Sequence, residues 1–148
     1  MSCGRPSAWS WPGAANPSGS TAHERDPGPA GPAGATTASA NSAEAIAEAV
    51  AELISDLIER NQLQAERVLS VTFSCTTDLD ACFPAAVARQ RAGWDAVALL
   101  DCQQMAVAGD LPRCIRLLAH AWMERDQPVV HPYLRGAALL RPDRSGHN

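Results

Sequence analysis

Phe83 and Arg89, Asp101 and Gln104, Arg116, Tyr133 and Arg141 stand at the ends of the regular segments that the sequence predicts. The set is rich in cations and hydrogen-bonding groups and contains no evident nucleophile or general base. Forked guanidinium groups pair with carboxylates through two parallel hydrogen bonds, and a fixed cation stabilises charge that develops during a reaction. Together these side chains suit the binding of a small polycarboxylate and the stabilisation of charge within it. On spacing alone the plainer reading, solvated surface arginines, prevails.

Other chemistries lack their signatures. There is no Gly-rich phosphate loop, no GxSxG elbow and no Ser/His/Asp set with a recommending order. The five cysteines and four histidines are scattered without metal-ligand spacing, so no metal site is expected. The 12 basic residues are all arginine and the net charge is −4, which does not suggest a nucleic-acid partner. No apolar run is long enough to span a membrane and no signal-peptide pattern opens the chain. An odd count of cysteines, scattered through apolar segments, fits buried thiols in a reducing setting, and a cytoplasmic protein is the expectation.

These residues need elements to position them. Residues 1–33 hold six of the 11 prolines and five of the 10 glycines, with no apolar periodicity, and are expected to be disordered. Residues 144–148 are expected to be a disordered tail. Asn41 followed by Glu44 resembles a capping box, and Ile46, Val50, Leu53, Ile54, Leu57 and Ile58 recur at helical spacing until Asn61. A strand is expected over 67–75, a helix opened by Pro84 and closed by Gly93, and a strand over 94–101. For 109–122 the reading is a helix with Asp110 as cap, Pro112 in its first turn and a stripe of Leu111, Ile115, Leu118 and Ala119. A last strand is expected in 131–143, and a first one is uncertain near 30–37. The order suggests an α+β domain of residues 34–143, with helices on one face of a mixed sheet whose other face meets a partner subunit.

At this point the text carries a resemblance. "TDLDACFPAAVAR", "GDLPRCIR" and "HPYLRGAALLRPD", with "GATT" at 34–37 and "GW" at 93–94, resemble the AroH-class chorismate mutases, the small trimeric type. The motifs fall in the family's order across residues 34–143. The resemblance implies a homotrimer forming a pseudo-α/β barrel, with active sites at the subunit interfaces. The implied reaction is the Claisen rearrangement of chorismate to prephenate, toward phenylalanine and tyrosine. It needs no cofactor, only a folded substrate and stabilised charge. By the same resemblance Arg116 lies beside the breaking ether oxygen, and Tyr133 hydrogen-bonds a substrate carboxylate. Phe83, Ala85 and Arg89 come from the neighbouring subunit, Leu140 lines the cavity and Arg141 helps to close it.

The chain departs from the family pattern twice. The pattern has cysteine at Asp101 and glutamate at Gln104, so Asp101 is expected to take over the acid's catalytic role while Gln104 keeps a hydrogen bond. The plainer alternative is that Asp101 merely ends a strand. Ala33 also stands where the first-strand motif carries an arginine, directly after the Pro/Gly-rich segment. An erroneous start, a shifted frame or a real divergence would each give that text. A second function follows from it: a catalytically impaired trimeric relative that binds small ligands or serves a structural role.

Overall fold

The computed structural model describes residues 26–143; residues 1–25 and 144–148, including most of the N-terminal segment and the expected tail, lie outside the described residues. Helix α1 (Ala43–Asn61) buries Ile46, Val50, Leu53, Ile54 and Leu57 of the stripe that the periodicity marks, with Ala49 beside them, and leaves Ile58 half-buried. Its N-cap is Ser42, whose hydroxyl accepts from the Ala45 amide at 3.2 Å. Asn41, expected in that role, instead accepts from the Asp80 and Ala81 amides and donates to the Asp80 carboxylate, tying the helix start to a distant loop. The helix ends at Gln62, in left-handed conformation. Asn61 is fully buried; its side chain donates to the Leu57 and Val130 carbonyls and accepts from the Val130 amide.

A five-stranded mixed sheet lies beneath the helices. Its strands are β1 (Gly28–Ala30), β2 (Ala33–Thr37), β3 (Val68–Cys75), β4 (Ala98–Gln103) and β5 (Cys114–Met123). β5 pairs antiparallel with β1 and β2 along one edge and with β3 along the other, and β3 runs parallel to β4. A short helix α2 (Pro84–Arg89) packs with α1 over the core. Trp94, Phe73, Ile115 and Leu117 join the α1 stripe in that one core, so the helices do cover a single face of the sheet. The opposite face displays Leu100, Leu118 and Trp122, which are 58%, 42% and 40% exposed.

Four expectations are corrected. Residues 114–123 form a strand, not a helix: Leu117, Ala119, Ala121 and Met123 turn into the core while Leu118, His120 and Trp122 turn out. Pairing along both edges overrides the helix propensity of Leu, Ala and Arg, and Asp110 and Pro112 belong to the connection before the strand. Residues 131–143 contribute only a bridge at Tyr133 and then a 3₁₀ helix over Arg135–Leu140, because Gly136 packs against Thr37 and Ala137 is buried. The second strand starts at Ala98 rather than residue 94, since Trp94 turns into the core. α2 likewise ends at Arg89, with Gly93 at φ 81 in the turn beyond it.

The folded part also begins before residue 34. Gly28–Ala30 is an edge strand, where a proline's missing N–H costs nothing, and Pro32 is fully buried with its carbonyl accepting from Ala119. Gly34 is required by close approach: a Cβ there would stand 2.7 Å from the Pro132 carbonyl oxygen and 3.1 Å from Leu53 Cδ1. Gly34→Ala is therefore expected to cost about 1–3 kcal/mol and to lower the urea midpoint with an unchanged slope. An unaltered midpoint would mean that the backbone at Pro132 yields without cost.

Candidate active site

Strand β2 organises one cleft of the molecule. Ala35 lies in register with Arg116 of β5 and bridges Tyr133 on its other side, donating to the Pro132 carbonyl at 3.0 Å and accepting from the Leu134 amide at 2.9 Å. Arg116 and Tyr133 are thereby brought to the same short strand from distant parts of the sequence. They line a cleft of about 360 Å³ with Ala33, Gly34, Leu117, Leu140 and Arg141. Asp143 grips Arg141 with both carboxylate oxygens, at 3.1 and 3.0 Å. That carboxylate, together with the Tyr133 hydroxyl, holds the Arg141 guanidinium above its ordinary pKa. Ala33 contributes no charge here, and its amide donates to His131 Nδ1 at 2.9 Å.

Arg116 leaves the sheet on the open face, with Leu118, His120 and Trp122. Its Nη2 lies 3.6 Å from Asp110 Oδ1, while its Nε is buried with no hydrogen-bond partner among the described residues. Gln104 donates through Nε2 to the other oxygen of Asp110, so a single carboxylate joins the amide and the guanidinium. Burial pushes the Cys114 thiol above its usual pKa, with Arg116 pulling the other way.

A second cleft lies elsewhere. A cleft of about 450 Å³ is lined by Cys75–Thr77, Leu79–Pro84 and Asp101–Gln103, and shares no lining residue with the first. Phe83 stands at its mouth, 71% exposed, an unusual position for so large an apolar ring. Ala85 is buried and Arg89 is exposed, both on α2. Asp101 is not beside Arg116: it pairs in register with Phe73 and, like Leu117, belongs to the helix-covered side of the sheet. Its Oδ1 accepts from the Ala85 amide at 3.0 Å and so caps α2 from outside, since Phe83 has no side-chain cap to offer. Burial raises the Asp101 pKa, opposed by the Ala85 amide and by Arg89. Burial, with Asp101 adding to it, pushes the Cys75 thiol up to about 12, so that thiol is no nucleophile at neutral pH.

Of the residues singled out in the sequence, Arg116, Tyr133, Leu140 and Arg141 meet in one cleft. Phe83, Ala85, Arg89 and Asp101 cluster around the other, and Gln104 reaches Arg116 only through Asp110. The proposed exchange of Asp101 for the family's acid finds no geometry within one chain. Asp110 is the residue that sequence reasoning misses: Gly-Asp before a proline suits a helix start, yet the same dipeptide also serves as a tight turn.

The match to the family model "Chorismate mutase type I" covers residues 31–144. The chain belongs to the type I chorismate mutase family. Two curated relatives carry the name chorismate mutase AroH. The Bacillus subtilis (strain 168) protein is 36% identical over 113 residues, covering 76% of this chain and 89% of that one. The Thermus thermophilus protein is 44% identical over 114 residues, covering 74% and 91%. A solved chorismate mutase from Clostridium thermocellum superposes with a TM-score of 0.68 at 36% identity, covering 74% of this chain and 98% of its own. Family membership thus agrees with the α+β sheet and one-sided helices.

The cap assigned to Asp101 is open to measurement. Asp101→Ala is expected to lower stability by about 1 kcal/mol, and Asp101→Asn by much less, because the amide oxygen still accepts from Ala85. Equal midpoints for wild type and Asp101→Ala in urea would contradict the cap.

Proposed function

We propose that the chain rearranges chorismate to prephenate as a homotrimer, with each site assembled from the Arg116 cleft of one copy and the Phe83 cleft of another. The observation that carries this reading is the convergence of Arg116, Tyr133, Leu140 and Arg141 on one cleft in a member of the type I chorismate mutase family. The rearrangement is intramolecular: an ether C–O bond breaks while a C–C bond forms, and no group is transferred to the protein. It therefore asks for a fixed reactive conformer and for positive charge at the ether oxygen. Arg116 supplies the charge. Tyr133 and Arg141 hold carboxylate, for which Arg141 exchanges its partner Asp143.

The Arg116 cleft is open, and Tyr133 is the one aromatic side chain in its lining among the described residues. An exposed Phe83 and an exposed Arg89 are the complement it lacks, and the apolar open face of the sheet at Leu100, Leu118 and Trp122 supports self-association. Asp101 serves this half by holding the start of α2, and Ala85 with it, against β4. No helix among the described residues is long and apolar enough to cross a membrane. The free thiols of Cys75, Cys82, Cys102 and Cys114 suit a reducing, cytoplasmic setting. The impaired-relative reading rested on Ala33 and on a proline-rich start, and β2 with its cleft forms across that start nonetheless.

The test is loss of chorismate and appearance of prephenate with purified protein. Arg116→Ala should raise the barrier by about 3 kcal/mol, roughly two orders of magnitude in rate. Arg116→Lys should recover little of it, because an ammonium is a point charge and not a fork. Wild-type turnover by either variant would move the catalytic cation elsewhere, and an inactive wild-type protein would overturn the function.

A further inference from the structure

We propose that Asp110 is the positioning residue of Arg116, holding one end of its guanidinium so that the rest of the fork is aimed into the cleft. The inference rests on the proposed mutase reading for its catalytic consequence, but its geometry stands on the chain alone.

The connection from β4 to β5 delivers this carboxylate. The Asp110 amide donates to the Val107 carbonyl at 3.1 Å, closing a turn in which Gly109 takes φ 82. Out of that turn Oδ1 accepts from the Leu111 amide at 2.8 Å and faces Arg116 Nη2 at 3.6 Å, while Oδ2 takes the Gln104 side-chain amide. The carboxylate is thus fixed by an amide on each side before it meets the guanidinium. Its side chain is 22% exposed against 43% for Arg116, so the anion is the more sheltered and better-ordered partner. An ion pair this open adds little to stability, which leaves orientation as its main effect. Gln104 is neutral and can only steady the acid, not replace it.

The consequence follows from how Arg116 is used. Asp110 stands at ion-pair distance from Nη2, and Nε is buried without a partner among the described residues, so the guanidinium is drawn toward the acid at one end with donors left over. An arginine side chain has several rotatable bonds and loses its aim readily when released. Misplacement by about 1 Å costs on the order of 100-fold in a positioned reaction.

Asp110→Asn keeps the shape and the contact to Leu111 and removes the charge. It is expected to lower kcat between about 10- and 100-fold with KM changed by less than about twofold. Adding Gln104→Glu to Asp110→Asn returns a carboxylate to the same pair of side chains, and should recover at least half of that loss on a logarithmic scale. Independently of activity, the Arg116 Nε–Hε resonance, assigned by its loss in Arg116→Lys, should shift in Asp110→Asn. An unchanged kcat, a loss confined to KM, or no recovery in the double variant would overturn the proposal. If the wild-type protein does not turn over chorismate, the mutase reading fails. In that case the resonance decides the positioning: a shift supports it and an unmoved signal refutes it.

Discussion

Strand β5 is hydrogen-bonded along both edges, to β1 and β2 on one side and to β3 on the other, and the rest of the structure follows from that placement. A strand with both edges occupied must alternate, so each residue is assigned to the core or to the open face by parity. Ile115, Leu117, Ala119, Ala121 and Met123 meet α1 in the core. Arg116 has the opposite parity and cannot be buried with them. A shift of one residue would drive the guanidinium beneath α1 and expose the core side chains. The register that makes the fold stable is therefore the register that presents the cation.

The same strand explains what the sequence concealed. α1 was legible because its apolar spacing is unbroken from Ile46 to Leu57, and β3 because Val68, Val71 and Phe73 are β-branched or aromatic. β5 consists largely of Leu, Ala and Arg, which favour helices, preceded by an Asp and a Pro in helix-start positions. Only the alternation from Leu117 to Met123 argued otherwise, and tertiary pairing decided the matter. Pro29 and Pro32 were misleading in the other direction, since an edge strand tolerates the missing donor. Arg135 at φ 52 and Gly136 against Thr37 depend on contacts nearly a hundred residues away, beyond any local pattern.

The site was legible as residue types and only partly as neighbours. Arg116 and Tyr133 meet because each flanks Ala35, a relation that no spacing reports. Asp101 and Gln104 lie three residues apart but serve different structures: one caps α2 on the helix-covered face, the other holds Asp110 near Arg116. Within one chain Asp101 lies two strands from β5 in register, whereas a turn brings Asp110 back over the open face. Within one chain the carboxylate near Arg116 is thus that of Asp110 and not that of Asp101.

Within a single chain the Arg116 cleft and the Phe83 cleft stand apart, with separate linings. The central claim is that two copies complete one site. Subunit complementation tests it most directly: an Arg116→Ala chain and an Arg89→Ala chain, each nearly inactive, are unfolded together and refolded as a mixture. Mixed assemblies then contain some interfaces with both arginines intact, and chorismate turnover well above either parent is the predicted result. Mixed assemblies that form, as shown by mass, yet turn over no faster than the parents would contradict a site shared between subunits.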